Sequence, residues 1–375
     1  MPVEKNEIFV IYGKDPAAMA ARLAEEAGLA DLIGDRKKRI GLKPNLVVSR
    51  PASEGATTHP EIAAGLIAYL KKNGFDNLAI LEGSWVGDRT AEAFSVCGYN
   101  KLSKETGVEL IDTQKDRARA CACGGMDIEI CESALALDFM INLPVMKGHC
   151  QTLLTCALKN NKGIIPNREK RRFHSLGLTV PIAHLNTVAR NDFIVVDGIC
   201  GDLDFEEGGN PVYAGRLFAA RDPVLCDAWA AGQMGYAVSE IPYIGLAEKL
   251  GAGCADISRA SVREFGGEGG SGAAKAEAAG GAPRPEGKVG QLAEHIAEAE
   301  ACSACYAGLV FALSRMSRTE RGRLEGKVSV GQGFRGKKGK LGIGRCCSGF
   351  SASGPGCPPG GAEALKFLRE HLYTP

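Results

Sequence analysis

Through the first two-thirds of the chain, short apolar runs take turns with stretches whose apolar positions recur at helical spacing. The apolar runs predict strands over 7–12, 39–48, 77–81, 109–112, 137–144, 193–196 and 217–220. The periodic stretches predict helices over 16–27, 60–72, 90–97, 153–159, 180–189 and 224–233. In the second of these, Ile62, Leu66, Ile67 and Leu70 fall on one face, and Pro60 suits the first turn. Strand and helix in regular alternation, joined by short loops, predict an α/β fold with a mostly parallel, doubly wound sheet.

The pattern breaks at 265–287, a low-complexity stretch of Gly and Ala that reads as a linker. It separates an expected α/β domain over 1–264 from a smaller, cysteine-rich α/β domain over 288–375. The latter is predicted to hold a helix at 289–299, strands at 327–330 and 340–343, and a closing helix at 362–372.

Composition narrows the function. A net charge of +1 and 6% aromatic residues argue against a nucleic-acid surface. No apolar run reaches the length of a membrane span. The first residues lack an apolar signal core, and fourteen cysteines in 375 residues do not suit a secreted disulfide scaffold. A reducing cytoplasm is the expected location.

The last quarter carries the most specific chemistry. Cys302-Ser303-Ala304-Cys305 is followed by Arg345-Cys346-Cys347 and by Gly356-Cys357-Pro358-Pro359. Four thiolates, from Cys302, Cys305, one of Cys346 and Cys347, and Cys357, predict a [4Fe-4S] cluster, with zinc as the alternative. Gly-rich turns supply backbone N–H groups, and Lys338, Lys340 and Arg345 offset the negative charge. The other nine cysteines read as small buried hydrophobes, with Cys121-Ala122-Cys123 held open.

Polar residues gather where predicted strands end. Lys43, Asn45, His59, Glu82, Lys147, His149, Lys159, Asn160, Lys162, Asp197 and Asp227 all fall at such places. In open α/β sheets these ends converge, and this mixture suits a small anion. Lys147, His149 and Lys159 are the expected groups for anion binding or proton transfer, with Asp197 and Asp227 as carboxylate partners. Lys43, Asn45, His59, Glu82, Asn160 and Lys162 are expected to line the site. No Walker A loop is present, and no Gly-x-Gly-x-x-Gly turn falls between a predicted strand and a predicted helix.

Taken together, Leu42-Lys43-Pro44-Asn45, His59-Pro60-Glu61, Leu81-Glu82-Gly83-Ser84 and the run Ile141 to His149 resemble the domain of unknown function 362 family. So do Ala157 to Gly163, Val196-Asp197-Gly198 and Arg221 to Asp227. Proteins of that family are described as having an iron–sulfur centre. This chain lacks the closely repeated ferredoxin-type cysteines of many relatives. From Gly356 to about Leu365 it is instead similar to the cluster-binding end of quinone-oxidoreductase small subunits, which implies Cys357 as a ligand. The expected protein is an iron–sulfur electron carrier or oxidoreductase, whose α/β domain binds an anionic small molecule or an electron-transfer partner. The alternative is a non-redox enzyme or binding protein with a structural zinc or cluster site.

Overall fold

Twelve strands come from the first 266 residues. They are β1 (Glu7–Tyr12), β2 (Ile40–Pro44), β3 (Leu78–Glu82), β4 (Glu109–Asp112), β5 (Ala118–Cys123) and β6 (Met126–Cys131). Then follow β7 (Phe139–Leu143), β8 (Lys147–His149), β9 (Leu153–Thr155), β10 (Phe193–Asp202), β11 (Pro211–Ala220) and β12 (Ser261–Gly266). Eight of them form one sheet in the order β12-β1-β11-β10-β7-β2-β3-β4. All its pairings are parallel except the two made by β11, so the other seven strands run the same way.

Burial follows position in the sheet. Every residue of β2, β3 and β7 is buried, as expected of central strands covered on both faces. Of the edge strands, β12 is largely exposed and β4 is mostly half-buried. On one face, Phe9, Ile11, Leu42, Ile80 and Ile141 share a core with Met19, Leu23, Ile62 and Leu66 of the helices Pro16–Glu26 and Pro60–Lys72. On the other, Phe218 meets Trp229 of the helix Pro223–Gln233 edge to face, with ring centroids 4.6 Å apart.

The connections fix where a ligand can sit. From β2 the chain passes through the helix Pro60–Lys72 to β3, on one side. On the other side of β2 lies β7, which leads on to β10. The order therefore reverses between β2 and β7, and the carboxyl ends of these two strands flank the crevice that such a reversal opens.

The computed structural model describes residues 2–266 and 292–372. The chain divides into two compact units, Met1–Glu169 with Thr179–Arg284, and Lys170–Leu178 with Pro285–Pro375. The expected linker begins later than its composition suggests, because Phe265 and Gly266 close β12; the rest of 265–287 lies outside the described residues. The expected division also left out Lys170–Leu178, which joins the second unit.

In the second unit, β13 (Ile296–Glu298), β14 (Val328–Val330), β15 (Leu341–Ile343) and β16 (Ala352–Gly354) form a wholly parallel sheet in chain order. The helices Ser303–Ser314 and Gly361–Glu370 pack on each other.

Two predicted helices are replaced. Over 153–159, β9 folds back on β8 and a helix covers only Ala157–Asn160. Leu153 has φ of 63°, which a right-handed helix cannot hold. Within 289–299, Ile296–Glu298 is a strand, because pairing with β14 outweighs its helical spacing; 289–291 lie outside the described residues. The hairpin β5–β6, which carries Cys121 and Cys123, and the helix Pro242–Lys249 were not expected.

Candidate functional site

Beside the crevice, the end of β2 is tied to its neighbours by polar contacts. Lys43 Nζ lies 2.7 Å from Glu82 Oε2 at the end of β3, and both side chains are buried. Burial lowers the Lys43 ammonium from its ordinary range, and the Glu82 charge opposes that shift. Gly163 closes over the pair: a Cβ there would lie 1.9 Å from Glu82 Oε1 and 2.5 Å from Lys43 Nζ. Asn160 Nδ2 donates to the Lys43 carbonyl and to Asn142 Oδ1 of β7. Lys43, Glu82 and Asn160 are thus engaged with each other and with the sheet. Lys162 lies on the adjoining turn Asn161–Ile164.

A second group forms around β8. Lys147 Nζ donates to the carbonyls of Ala56 and Glu206 and to Asn45 Oδ1, the last two at 2.7 and 3.3 Å. An ammonium has three protons, and these three acceptors use them all. The Gln151 N–H donates to His149 Nδ1 at 3.0 Å, which places the imidazole proton on Nε2, 3.3 Å from Glu206 Oε1. The other Glu206 oxygen accepts the Cys150 N–H. Glu206 is therefore the carboxylate at the centre of this group. It was not expected from the sequence, where the only signal was the acidic run 202–207.

Lys159 is the exception among these cations. It is 9% exposed, and among the described residues its amine has no hydrogen bond or ion pair. Burial pushes it down to about 7; Glu206 opposes that shift and the positive charge of Lys147 reinforces it. Burial also brings Lys147 to about 7, against the pull of Glu206 and Asp202.

The two expected carboxylate partners work elsewhere. Asp197 Oδ2 accepts from the His59 backbone N–H at 2.9 Å and lies 2.8 Å from His59 Nδ1. Its position on β10 aims it at the loop before the helix Pro60–Lys72 and not at Lys147. Asp227 accepts the N–H groups of Ala157 and Leu158, capping the short helix that carries Lys159 and Asn160. Its carboxyl is fully buried and is pushed up to about 7, against the pull of those two amides. Cys156, Cys226 and Asp227 have ligand atoms all within 4.8 Å of one another, a grouping not foreseen from the sequence.

In the second unit the cysteines sit at the carboxyl ends of the parallel strands. Cys302 follows β13 and precedes the helix that bears Cys305, Cys346 follows β15, and Cys357 follows β16. The turn before Cys357 requires Gly356, whose φ is 101° and where a Cβ would lie 2.7 Å from Pro359 Cα. The Cys305 thiol is held well above its usual range, first by its hydrogen bond to Cys302, then by burial and by the charges of Cys302, Cys357 and Cys346. The loop after β14 supplies Arg335, whose Nε donates to Cys346 Sγ at 3.4 Å. That hydrogen bond and the charges of Cys346, Cys302 and Cys357 raise the guanidinium further. Cys347 points the other way. Its buried thiol donates to the Ser329 carbonyl at 3.4 Å and is pushed up to about 11 by burial. Cys302, Cys346 and Cys357 thus all act on Cys305, and Arg335 is a positive charge in their neighbourhood.

None of the fourteen cysteines is in a disulfide. Among the described residues no helix is long and apolar enough to cross a membrane.

The chain is similar to the thylakoid-associated protein sll1697 of Synechocystis sp., with 23% identity over 253 residues, covering 63% of this chain and 74% of that protein. Among solved structures it is similar to the lactate racemase apoprotein from Thermoanaerobacterium thermosaccharolyticum, with a TM-score of 0.41 and 15% identity. That match covers 62% of this chain and 57% of the other, so the chain spans little more than half of that structure. Residues 40–232 match the model of a domain of unknown function, DUF362, and the chain, more than half of which that match covers, belongs to this family.

Proposed function

We propose that the protein is an iron–sulfur protein in which Cys302, Cys305, Cys346 and Cys357 hold a [4Fe-4S] cluster, while the β2–β7 crevice binds a small anionic molecule. What supports the first part is that Cys302, Cys346 and Cys357 each follow a strand of one parallel sheet, Cys305 lies on the helix that starts just after Cys302, and Cys302, Cys346 and Cys357 all act electrostatically on Cys305. Cys305 is raised first by its hydrogen bond with Cys302 and by burial, then by the charges of Cys302, Cys357 and Cys346, and a cationic core would relieve that last part. The donor set fits the group: all four ligands are sulfur, the N-terminus of the helix Ser303–Ser314 follows Cys302, and Arg335 offers a hydrogen bond to one ligand sulfur. A cluster held there supplies one-electron transfer. With a cluster bound, the charge of Arg335 beside Cys346 would favour the reduced state.

Support for the anion reading is the buried amine of Lys159, which has no partner among the described residues and on which Lys147 acts electrostatically. An anion entering there restores the Lys159 proton and gains a charge-assisted hydrogen bond. Elemental analysis of protein purified without oxygen tests the cluster. The expected result is about four iron and four acid-labile sulfide per chain. Zinc with no sulfide removes the reading.

A further inference from the structure

We propose that Lys159 is an amine nucleophile that condenses with the carbonyl carbon of a small oxo-acid in the β2–β7 crevice. The inference rests on the reading of that crevice as an anion site and names the class of anion.

Two buried lysines near one carboxylate have different work here. Lys147 is spent: its amine is tied to Ala56, Glu206 and Asn45, and so fastens two loops to β8. Lys159 has no such tether among the described residues, although it is more than nine-tenths buried. Its backbone is held in place, because Asp227 caps the helix Ala157–Asn160 and Asn160 is pinned to Lys43 and Asn142. An amine on a fixed backbone, desolvated and next to a second cation, is the arrangement that keeps a lysine neutral and reactive near neutral pH. If anion binding were its whole purpose, an amine that sheds its proton so readily would serve poorly. A guanidinium would keep its charge there.

The step balances without an oxidant or reductant. The Lys159 nitrogen lone pair forms the C–N bond as the carbonyl π electrons move to oxygen. The carbinolamine then loses that oxygen as water, taking both amine protons, and leaves an imine. Protonation of the imine nitrogen places a positive charge beside Glu206 and beside the carboxylate of the bound oxo-acid, which stabilises the adduct.

Glyoxylate with sodium cyanoborohydride tests the inference on the full-length protein, with oxalate as the isosteric dianion that cannot condense. Tryptic mass spectrometry locates the carboxymethyl-amine left by reduction. The expected result is labelling concentrated at Lys159. At pH 7.5 its neutral fraction exceeds that of an exposed lysine by roughly a hundredfold or more. Oxalate should slow this labelling, and K159R should abolish it while retaining the circular dichroism spectrum and iron content of the parent. Labelling spread over exposed lysines such as Lys71 and Lys101, with Lys159 unmodified, overturns the inference. If oxalate binds by calorimetry in that case, the anion reading stands without the condensation; if it does not bind, both fall.

Discussion

Lys43 and Glu82 meet at 2.7 Å beneath Gly163, each buried at the end of its own strand. The pair joins β2 to β3 at the wall of the crevice. Removing the charge of one partner leaves the other buried without its counter-charge. E82Q should therefore lower stability by about 3–5 kcal/mol, whereas the double replacement K43M/E82L should lose far less. Urea unfolding of the three proteins measures the difference. Equal losses in the single and double variants would remove the pair from its role.

Gly163 makes a separate prediction. With a Cβ at 1.9 Å from Glu82 Oε1, G163A must separate the pair or displace the turn Asn161–Ile164. It should destabilise the protein in the parent background, and less so in K43M/E82L, where the charges are gone. Thermal melts of G163A in both backgrounds test that coupling.

The neighbouring cysteines 346 and 347 should behave oppositely. Cys346 faces Arg335 and the other thiols, and Cys347 faces the Ser329 carbonyl. C346S should lose iron and sulfide, while C347S should keep them at some cost in stability. R335Q should retain the cluster and shift its reduction potential to more negative values in protein-film voltammetry, because a positive charge near the sulfurs is lost. An unshifted potential would sink the role given to Arg335.

The His59–Asp197 pair adds a pH dependence. Burial lowers the imidazole, but the Asp197 hydrogen bond and the charges of Asp197 and Glu61 outweigh it, so the folded value lies above the ordinary one. The folded state binds the proton more tightly than the unfolded chain. This stabilisation is complete below the unfolded value, near 6.5, and fades as pH rises through the folded one. Stability of D197N, measured by urea titration across that window, should be lower than the parent at low pH and should vary less with pH.

Asp227 changes stability in the same direction, but through burial of its carboxyl and not through an ion pair. Its folded value is pushed up to about 7, so stability falls as pH rises from the ordinary carboxyl range to that point. D227N keeps an acceptor for the Ala157 and Leu158 amides and should flatten the decline. D227A should leave those amides unpaired, at a loss of about 1–3 kcal/mol. In D227A glyoxylate labelling of Lys159 should also slow, because the short helix holding it frays.

Much of this molecule was legible one residue at a time. The strand 7–12, the helix 60–72 and the strand 109–112 have the bounds expected of them, because apolar period and end signals such as Pro60 are local properties. The same locality marked Lys43, Lys147, Lys159 and the tail cysteines as the residues worth following. Partner choice was not local. Glu206, and not Asp197 or Asp227, joins the lysines because a strand pairing and a loop bring residue 206 to residue 147. Cys346 and Cys347 are adjacent in the chain, yet the short turn after β15 sends their sulfurs to opposite sides. Arg335 reaches the thiols only because β14 lies parallel between β13 and β15. Residue type and spacing determine which groups are present and which elements carry them. Which groups face each other is decided by strand order and register, set by packing between positions more than a hundred residues apart, as with Asn45 and Lys147.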